Sequence, residues 1–185
     1  SSHSKSAVLN KLEVAIPEGY WPEKLGVTSM AIPMWGEISL LEVGENTSLA
    51  QPIQLVRMLA KINVRVDITL QSDFTLTSVR VGNRYTSGLI VPFAENWNAS
   101  EKRVTKASVL PSWTRRSSYL LYSTKIGSVL DRIYLFEARL SEDVDVSEVT
   151  MLIVGGRYKG SNDETFYRVD FAKKTTTGLE RYDLL

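Results

Sequence analysis

Residues Arg57 to Leu70 read RMLAKINVRVDITL. From Met58 every even position is apolar: Met58, Ala60, Ile62, Val64, Val66, Ile68 and Leu70. Apart from Leu59, the odd positions are polar: Arg57, Lys61, Asn63, Arg65, Asp67 and Thr69. A strand turns successive side chains to opposite faces, so this pattern demands one buried face and one wet one. No helix gathers that set on a single stripe. The stretch predicts a long antiparallel strand over a core. Ala60, Ile62, Val64 and Val66 should face inward and Lys61, Asn63 and Arg65 outward, because a one-residue slip would bury the charges.

Upstream, Ala7, Val8, Leu9 and Leu12 recur at near-helical spacing and predict a short helix within Ser6 to Val14, capped by Ser6. Pro17, Gly19, Pro22 and Gly26 then break the chain into turns. Ala31 to Pro33 and Ile38 to Val43 read as short extended pieces around a turn at Trp35-Gly36, with a polar loop from Gly44 to Pro52. Downstream, Gln71 to Asp73 form a tight connection to FTLTSVRVGN, where the parity breaks. Phe74 and Leu76 fall on one set and Val79 and Val81 on the other. A bulge near Thr77-Ser78 would return them to one side.

Asn83 to Gly88 read as a turn, and Phe93 to Arg116 as loop with one edge strand at Val104 to Leu110. Further strands are expected at Ser118 to Thr124, Arg132 to Leu140, Val149 to Gly155 and Thr165 to Phe171. The second and third of these are apolar on both faces, as central strands are. The Gly155-Gly156 pair reads as a hairpin turn closing the third. Many short strands with turn signals and little helix predict an all-β sandwich.

The 185 residues are 43% hydrophobic with a formal charge of +1, an ordinary globular balance with no basic surplus to attract nucleic acid. No apolar run has transmembrane length, and SSHSKSAVLN has no signal-peptide core, which reads as a mature or trimmed chain. Cysteine is absent and His3 is the single histidine. That composition excludes disulfides, thiolate metal sites, Ser-His-Asp triads and Cys-His pairs. The expectation is of no enzyme, no cofactor and no metal.

The remaining chemistry is weak. Glu142, Asp143 and Asp145 in SEDVDVSE offer oxygen ligands but lack the glycine and spacing of a calcium loop, so a solvated turn is the better reading. Asp131, Glu137 and Asp170 are the carboxylates a hydrolase would have to use, yet such residues occur on the edges of any sandwich. Gly155-Gly156 precedes Arg157 without a GxxxxGK pattern and is no phosphate loop. Trp97, Trp113, Tyr119 and Tyr122 could stack on sugar rings, the basis of an alternative reading as a surface glycan-binding module. A glycan binder would lose binding when Trp97 or Trp113 becomes alanine. The sequons at Asn46 and Asn98 mark polar surface.

Taken in order, IPMWGE (Ile32 to Glu37), IQLVRMLAKINVRV (Ile53 to Val66), FTLTSVRVGN (Phe74 to Asn83), IYLFEA (Ile133 to Ala138), VTMLIVGGRY (Val149 to Tyr158) and TFYRVDF (Thr165 to Phe171) resemble the fimbrillin family of the Bacteroidota. Those proteins are the subunits of type V pili. The resemblance implies an all-β fold: a transthyretin-like antiparallel β-sandwich of Greek-key type, preceded by part of a second β-rich domain. On this analogy residues 1–52 are the end of a first domain plus linker, and 53–185 a second sandwich without its final strands. It further implies a structural or adhesive pilus subunit at the cell surface, in the fimbrium or at the outer membrane, from a precursor anchored by lipid. Its partners would be other pilin subunits, with a host or bacterial surface receptor and no nucleic acid. Assembly would proceed by strand addition, with Met58, Ala60, Ile62, Val64, Val66 and Ile68 as the strand concerned.

Overall fold

The computed structural model describes residues 4–16, 21, 31–40, 42–49, 52–110, 113, 118–123, 129–138, 149–175 and 178–181. Among them the helical pieces are α1 (Lys5–Leu9) and two 3-10 turns, Ile68–Leu70 and Ala94–Asn96. The rest of the regular structure is strand: β1 (Glu13–Ala15), β2 (Met34–Trp35), β3 (Val56–Arg57), β4 (Leu59–Arg65), β5 (Phe74–Gly82), β6 (Ser87–Leu89) and β7 (Trp97–Asn98). There follow β8 (Arg103–Val104), β9 (Leu120–Ser123), β10 (Val129–Phe136), β11 (Met151–Tyr158), β12 (Thr165–Asp170), β13 (Ala172–Thr175) and β14 (Gly178–Arg181). Their ladders are antiparallel. The fold is an all-β sandwich. One layer is a sheet in the order β12-β11-β5-β9, and the other is the β10-β4 ladder.

The core lies between these layers. Leu76, Val79, Val81, Leu120 and Leu152 of the large sheet meet Ile133 and Leu135 of β10. Ala60, Ile62 and Val64 of β4, and Val66 just past its end, pack against the same cluster, while Lys61, Asn63 and Arg65 are exposed. The period-two pattern thus gives the register of β4, but the strand is shorter than the pattern. Asp67 ends it by capping the turn Ile68–Leu70, its carboxylate accepting the Thr69 amide at 2.9 Å and the Thr69 hydroxyl at 2.6 Å. Ile68 is therefore not a core-strand residue: it is 82% exposed. Met58 sits at a bend before β4 and is buried in a different cluster from Ala60.

The expected bulge in β5 is present. Gly155 pairs with Ser78 and Gly156 with Leu76, which leaves Thr77 over and restores Leu76 to the side of Val79 and Val81. The Thr77 hydroxyl donates to the Glu164 carboxylate, and the Ser78 hydroxyl donates to the same oxygen at 3.1 Å. The Thr77 hydrogen bond is the main reason the Glu164 carboxyl is held below the usual carboxylate range, against an opposing effect of burial. Ser78 and the charges of Arg80 and Arg157 add to the lowering. A depressed carboxyl pKa contributes stability above its unfolded value, and that contribution is lost as pH falls through the folded value. Glu164→Gln should therefore lower the melting temperature near neutrality and close the gap to the parent as pH falls into the acid range. A gap that is constant from neutral to acid pH would refute the linkage.

Gly155-Gly156 is not a hairpin turn. The pair lies inside β11, which runs on to Tyr158, and the turn comes at Gly160, whose φ is +81°. A Cβ on Gly156 would stand 2.0 Å from the Phe74 ring, so the glycine is needed for a close approach, not for a bend. Other boundaries shift as well. The Ser4 hydroxyl accepts the Ala7 amide at 3.3 Å ahead of α1, and Ser6, the expected cap, lies within the helix. The edge strand expected over Val104 to Leu110 is confined to Arg103–Val104.

A second apolar cluster covers the outward face of the ladder at the Leu59–Phe136 pair. Trp21, Met58, Leu59 and Phe136 form it, with Val14, Ile16, Ile32, Ile90 and Tyr134 partly buried around them. β1 brings Val14 there by pairing with β6, where Val14 faces Gly88. This explains why the IYLFEA stretch is apolar on both faces. Ile133 and Leu135 enter the sandwich core and Phe136 enters the second cluster.

Candidate interaction surfaces

The register of β11 and β12 places Leu152, Val154, Gly156 and Tyr158 on one face with Thr165, Tyr167 and Val169. Leu152 and Val154 belong to the core cluster, so this is the face turned inward. Its cover runs out towards the edge strand: Tyr158 is 49% exposed, and Tyr167 and Val169 are each 44% exposed. Phe74, Tyr158 and Tyr167 form an aromatic shelf there. Phe74 meets Tyr158 edge-on at 5.2 Å and Tyr167 at 6.3 Å between ring centroids. The two tyrosine hydroxyls are 2.8 Å apart. The Tyr158 hydroxyl pKa is raised by that bond, and the Tyr167 hydroxyl is lowered by it and by Thr165, as expected if Tyr158 donates.

In the opposite layer enclosure falls off in the same way. Ile133 and Leu135 of β10 are fully buried, whereas Ala60, Ile62 and Val64 of β4, and Val66 after it, are half-buried. Among the described residues β4 pairs with β10 alone, so its other edge carries no strand. Of the residues expected to mediate strand addition, Ala60, Ile62 and Val64 line up along β4 and pack with Val66, just beyond it, on one core; Met58 and Ile68 lie outside that core.

A groove of about 630 Å³ opens beside the head of β4. Its apolar walls are Ile32, Met34, Val56, Leu59 and Ala60, and its charged members are Arg57 and Lys61. The Lys61 ammonium lies 5.8 Å from the centroid of the Tyr134 ring, which also lines the groove. Among the described residues no carboxylate lines it.

The four aromatic residues of the sugar-stacking reading are not brought together. Trp97 stands edge-on to Trp35 at 5.2 Å, and Trp113 is tilted against Tyr85 at 6.1 Å. Tyr119 lies over Gly82, whereas Tyr122 packs on the sandwich core. The candidate carboxylates have structural contacts. Glu137 accepts the Ser108 amide at 2.6 Å, and Asp170 pairs with Arg168 at 2.9 Å. The acidic stretch with Glu142, Asp143 and Asp145 lies outside the described residues, as does the side chain of Asp131. Among the described residues no group of three or more acidic or histidine side chains is placed to hold a metal.

Sequence reasoning missed the shelf and the groove. The shelf depends on which strands pair, and the groove on a ladder of two residue pairs bringing Met34 opposite Arg57. The signal available beforehand was the unusual density of Phe and Tyr in TFYRVDF and GGRY.

No family model matches the chain, and no solved structure matches it. It is similar to two curated proteins, each called Major fimbrium tip subunit FimE, both of Porphyromonas gingivalis. Each is 27% identical over 154 residues, which is 83% of this chain. The chain spans 27% of the length of these relatives. The likeness to these fimbrial subunits is distant and covers only part of their length.

Proposed function

We propose that the chain is a structural or adhesive part of a cell-surface pilus, not an enzyme, and that it assembles with neighbouring subunits by β-strand addition. The observation that carries this reading is the uneven cover of the sandwich. A four-stranded sheet faces a two-stranded ladder, and β12 keeps Tyr167 and Val169 half-exposed on the inward side. In this reading β10, separated from β9 by five residues, lies over the β9 side of the large sheet, and β4 over the side towards β12. A strand added along the open edge of β4 would cover the shelf and satisfy peptide groups at once.

In this reading residues 1–52 close a preceding domain, and the second cluster is where that segment meets the sandwich of residues 53–185. The place of action is the fimbrium at the cell surface, reached from a precursor anchored by lipid at the outer membrane. The partners are other pilin subunits, of the same or another kind, and a host or bacterial surface receptor.

The test is a synthetic peptide with the alternating apolar pattern of a pilin's terminal strand. It should raise the melting temperature with dose, by the equivalent of about 2.7 kcal/mol at a hundredfold excess over its Kd. The same peptide with its alternation shifted by one residue should not, because the apolar side chains would then face water. Equal stabilisation by both peptides, or none by either, would count against templated addition.

A further inference from the structure

Between β2 and β3 the chain makes a long excursion, residues 36–55, in which no strand is present among the described residues. Its two limbs start side by side: a Cβ on Gly36 would lie 2.5 Å from the Gln54 carbonyl oxygen and against Ile53 and Leu55. Its tip is a closed turn, with the Gly44 amide donating to the Thr47 hydroxyl at 2.6 Å and the Thr47 amide to the Gly44 carbonyl at 3.1 Å. The excursion is therefore an arm. A connection of this length without regular structure is uncommon in a compact domain and is usually functional.

The arm carries apolar side chains into solvent. Val43 is 75% and Leu55 61% exposed, and Ile38, Leu40, Leu49 and Ile53 are exposed as well. Interspersed acids give it a sign. Glu37 is held by Lys5 at 2.7 Å, but Glu42 and Glu45 are exposed with no ion pair among the described residues. The groove beside β4 is the complement: apolar walls, with Arg57 and Lys61 exposed and, among the described residues, no carboxylate partner for either and no acid in the lining.

We propose that the arm of one copy of this chain docks in the Arg57–Lys61 groove of a second copy. Aliphatic side chains fill the groove and Glu42 and Glu45 meet its two cations. The arm does not serve its own groove. None of its described residues lines that groove, although Met34, Val56 and Arg57 of the ladder from which it springs do, and its limb is long enough to reach up to roughly 25 Å away. A glycan suits the groove less, because its described lining offers no side-chain amide or carboxylate to receive sugar hydroxyls. The contact is separate from addition at the β4 edge, and the strand peptide test does not report on it.

The chain has no cysteine, so single cysteines report contacts without background. Val43→Cys chains mixed with Met34→Cys chains and mildly oxidised should give a dimer containing one of each. Val43→Cys mixed with Ile68→Cys, exposed in the turn after β4, should give at least about tenfold less. Adding Arg57→Glu and Lys61→Glu to the Met34→Cys chain should lower the yield about tenfold or more, and Glu42→Lys with Glu45→Lys on the Val43→Cys chain should restore it. These four positions are exposed, and unchanged unfolding midpoints will show that the variants fold. The proposal is overturned by absence of the mixed product, by equal yield with Ile68→Cys, or by indifference to charge reversal. It is equally overturned if a Val43→Cys, Met34→Cys double variant closes its bridge within one chain at high dilution.

Discussion

Val79→Asp should strip the chain of roughly 3–5 kcal/mol of folding stability, whereas Ile68→Asp should change it by less than about 0.5 kcal/mol. Both are aliphatic residues in strand-like sequence, and only the structure separates them. Val79 is 0% exposed, stands opposite Val154 on one side and Tyr122 on the other, and points into the sandwich core. Aspartate is close to valine in volume, so the substitution opens little cavity. Its cost is that of an unpaired carboxylate away from water. Against a typical total of about 5–15 kcal/mol this removes roughly a fifth or more of the stability. Ile68 is 82% exposed in a 3-10 turn already shaped around a carboxylate, that of Asp67. Denaturant unfolding followed by tryptophan fluorescence measures both. If Ile68→Asp proved as damaging as Val79→Asp, the core strand would run on past Asp67 in solution. A Val79→Asp variant as stable as the parent would place that residue outside the core.

What was legible in the sequence was what one strand can say about itself. Alternation along Leu59 to Arg65 gives the face of every residue, because the period of a strand is fixed by its backbone. The parity break in FTLTSVRVGN reveals the bulge at Thr77 for the same reason. The overrun to Ile68 and Leu70 has a local explanation too. An aspartate followed by Thr69 is a capping signal, and here local hydrogen bonding overrode continued apolar alternation.

What was not legible depends on residues far apart in the chain. Nothing in Arg57 to Leu70 says that β4 pairs with β10, or that the face beside Leu59 is covered by Trp21 and Phe136. The two interaction surfaces belong to this second kind. The shelf exists because β12 is an edge strand, and the groove exists because β2 and β3 pair across a twenty-residue arm. Composition could not reveal the arm's exposure, since an apolar stretch is read first as core.

Gly156→Val should destabilise the chain by about 1–3 kcal/mol or more, and most of that loss should disappear when Phe74→Ala is added. The pair of glycines in VTMLIVGGRY carries a turn signal, and the structure uses it differently. Gly156 lies in the middle of β11, paired with Leu76 across one ladder and Thr165 across the other, and its φ is not in the left-handed region. Replacing it therefore costs little in backbone conformation. The cost is steric: the Phe74 ring occupies the place of the missing side chain, its nearest atom 2.0 Å from where a Cβ would be. That ring is in turn held edge-on by Tyr158 and Tyr167, so it cannot swing aside without breaking up the shelf. Phe74→Ala alone should cost less than a buried phenylalanine normally does, because the ring is only half-buried. The double variant is the informative one. If Gly156→Val is as harmful in the Phe74→Ala background as with the ring in place, the glycine is required by the backbone and the two residues are independent. A coupling energy of about 1 kcal/mol or more would tie the glycine to the ring. The same double variant should weaken binding of the strand peptide, since the shelf over which that strand would lie is lost with Phe74.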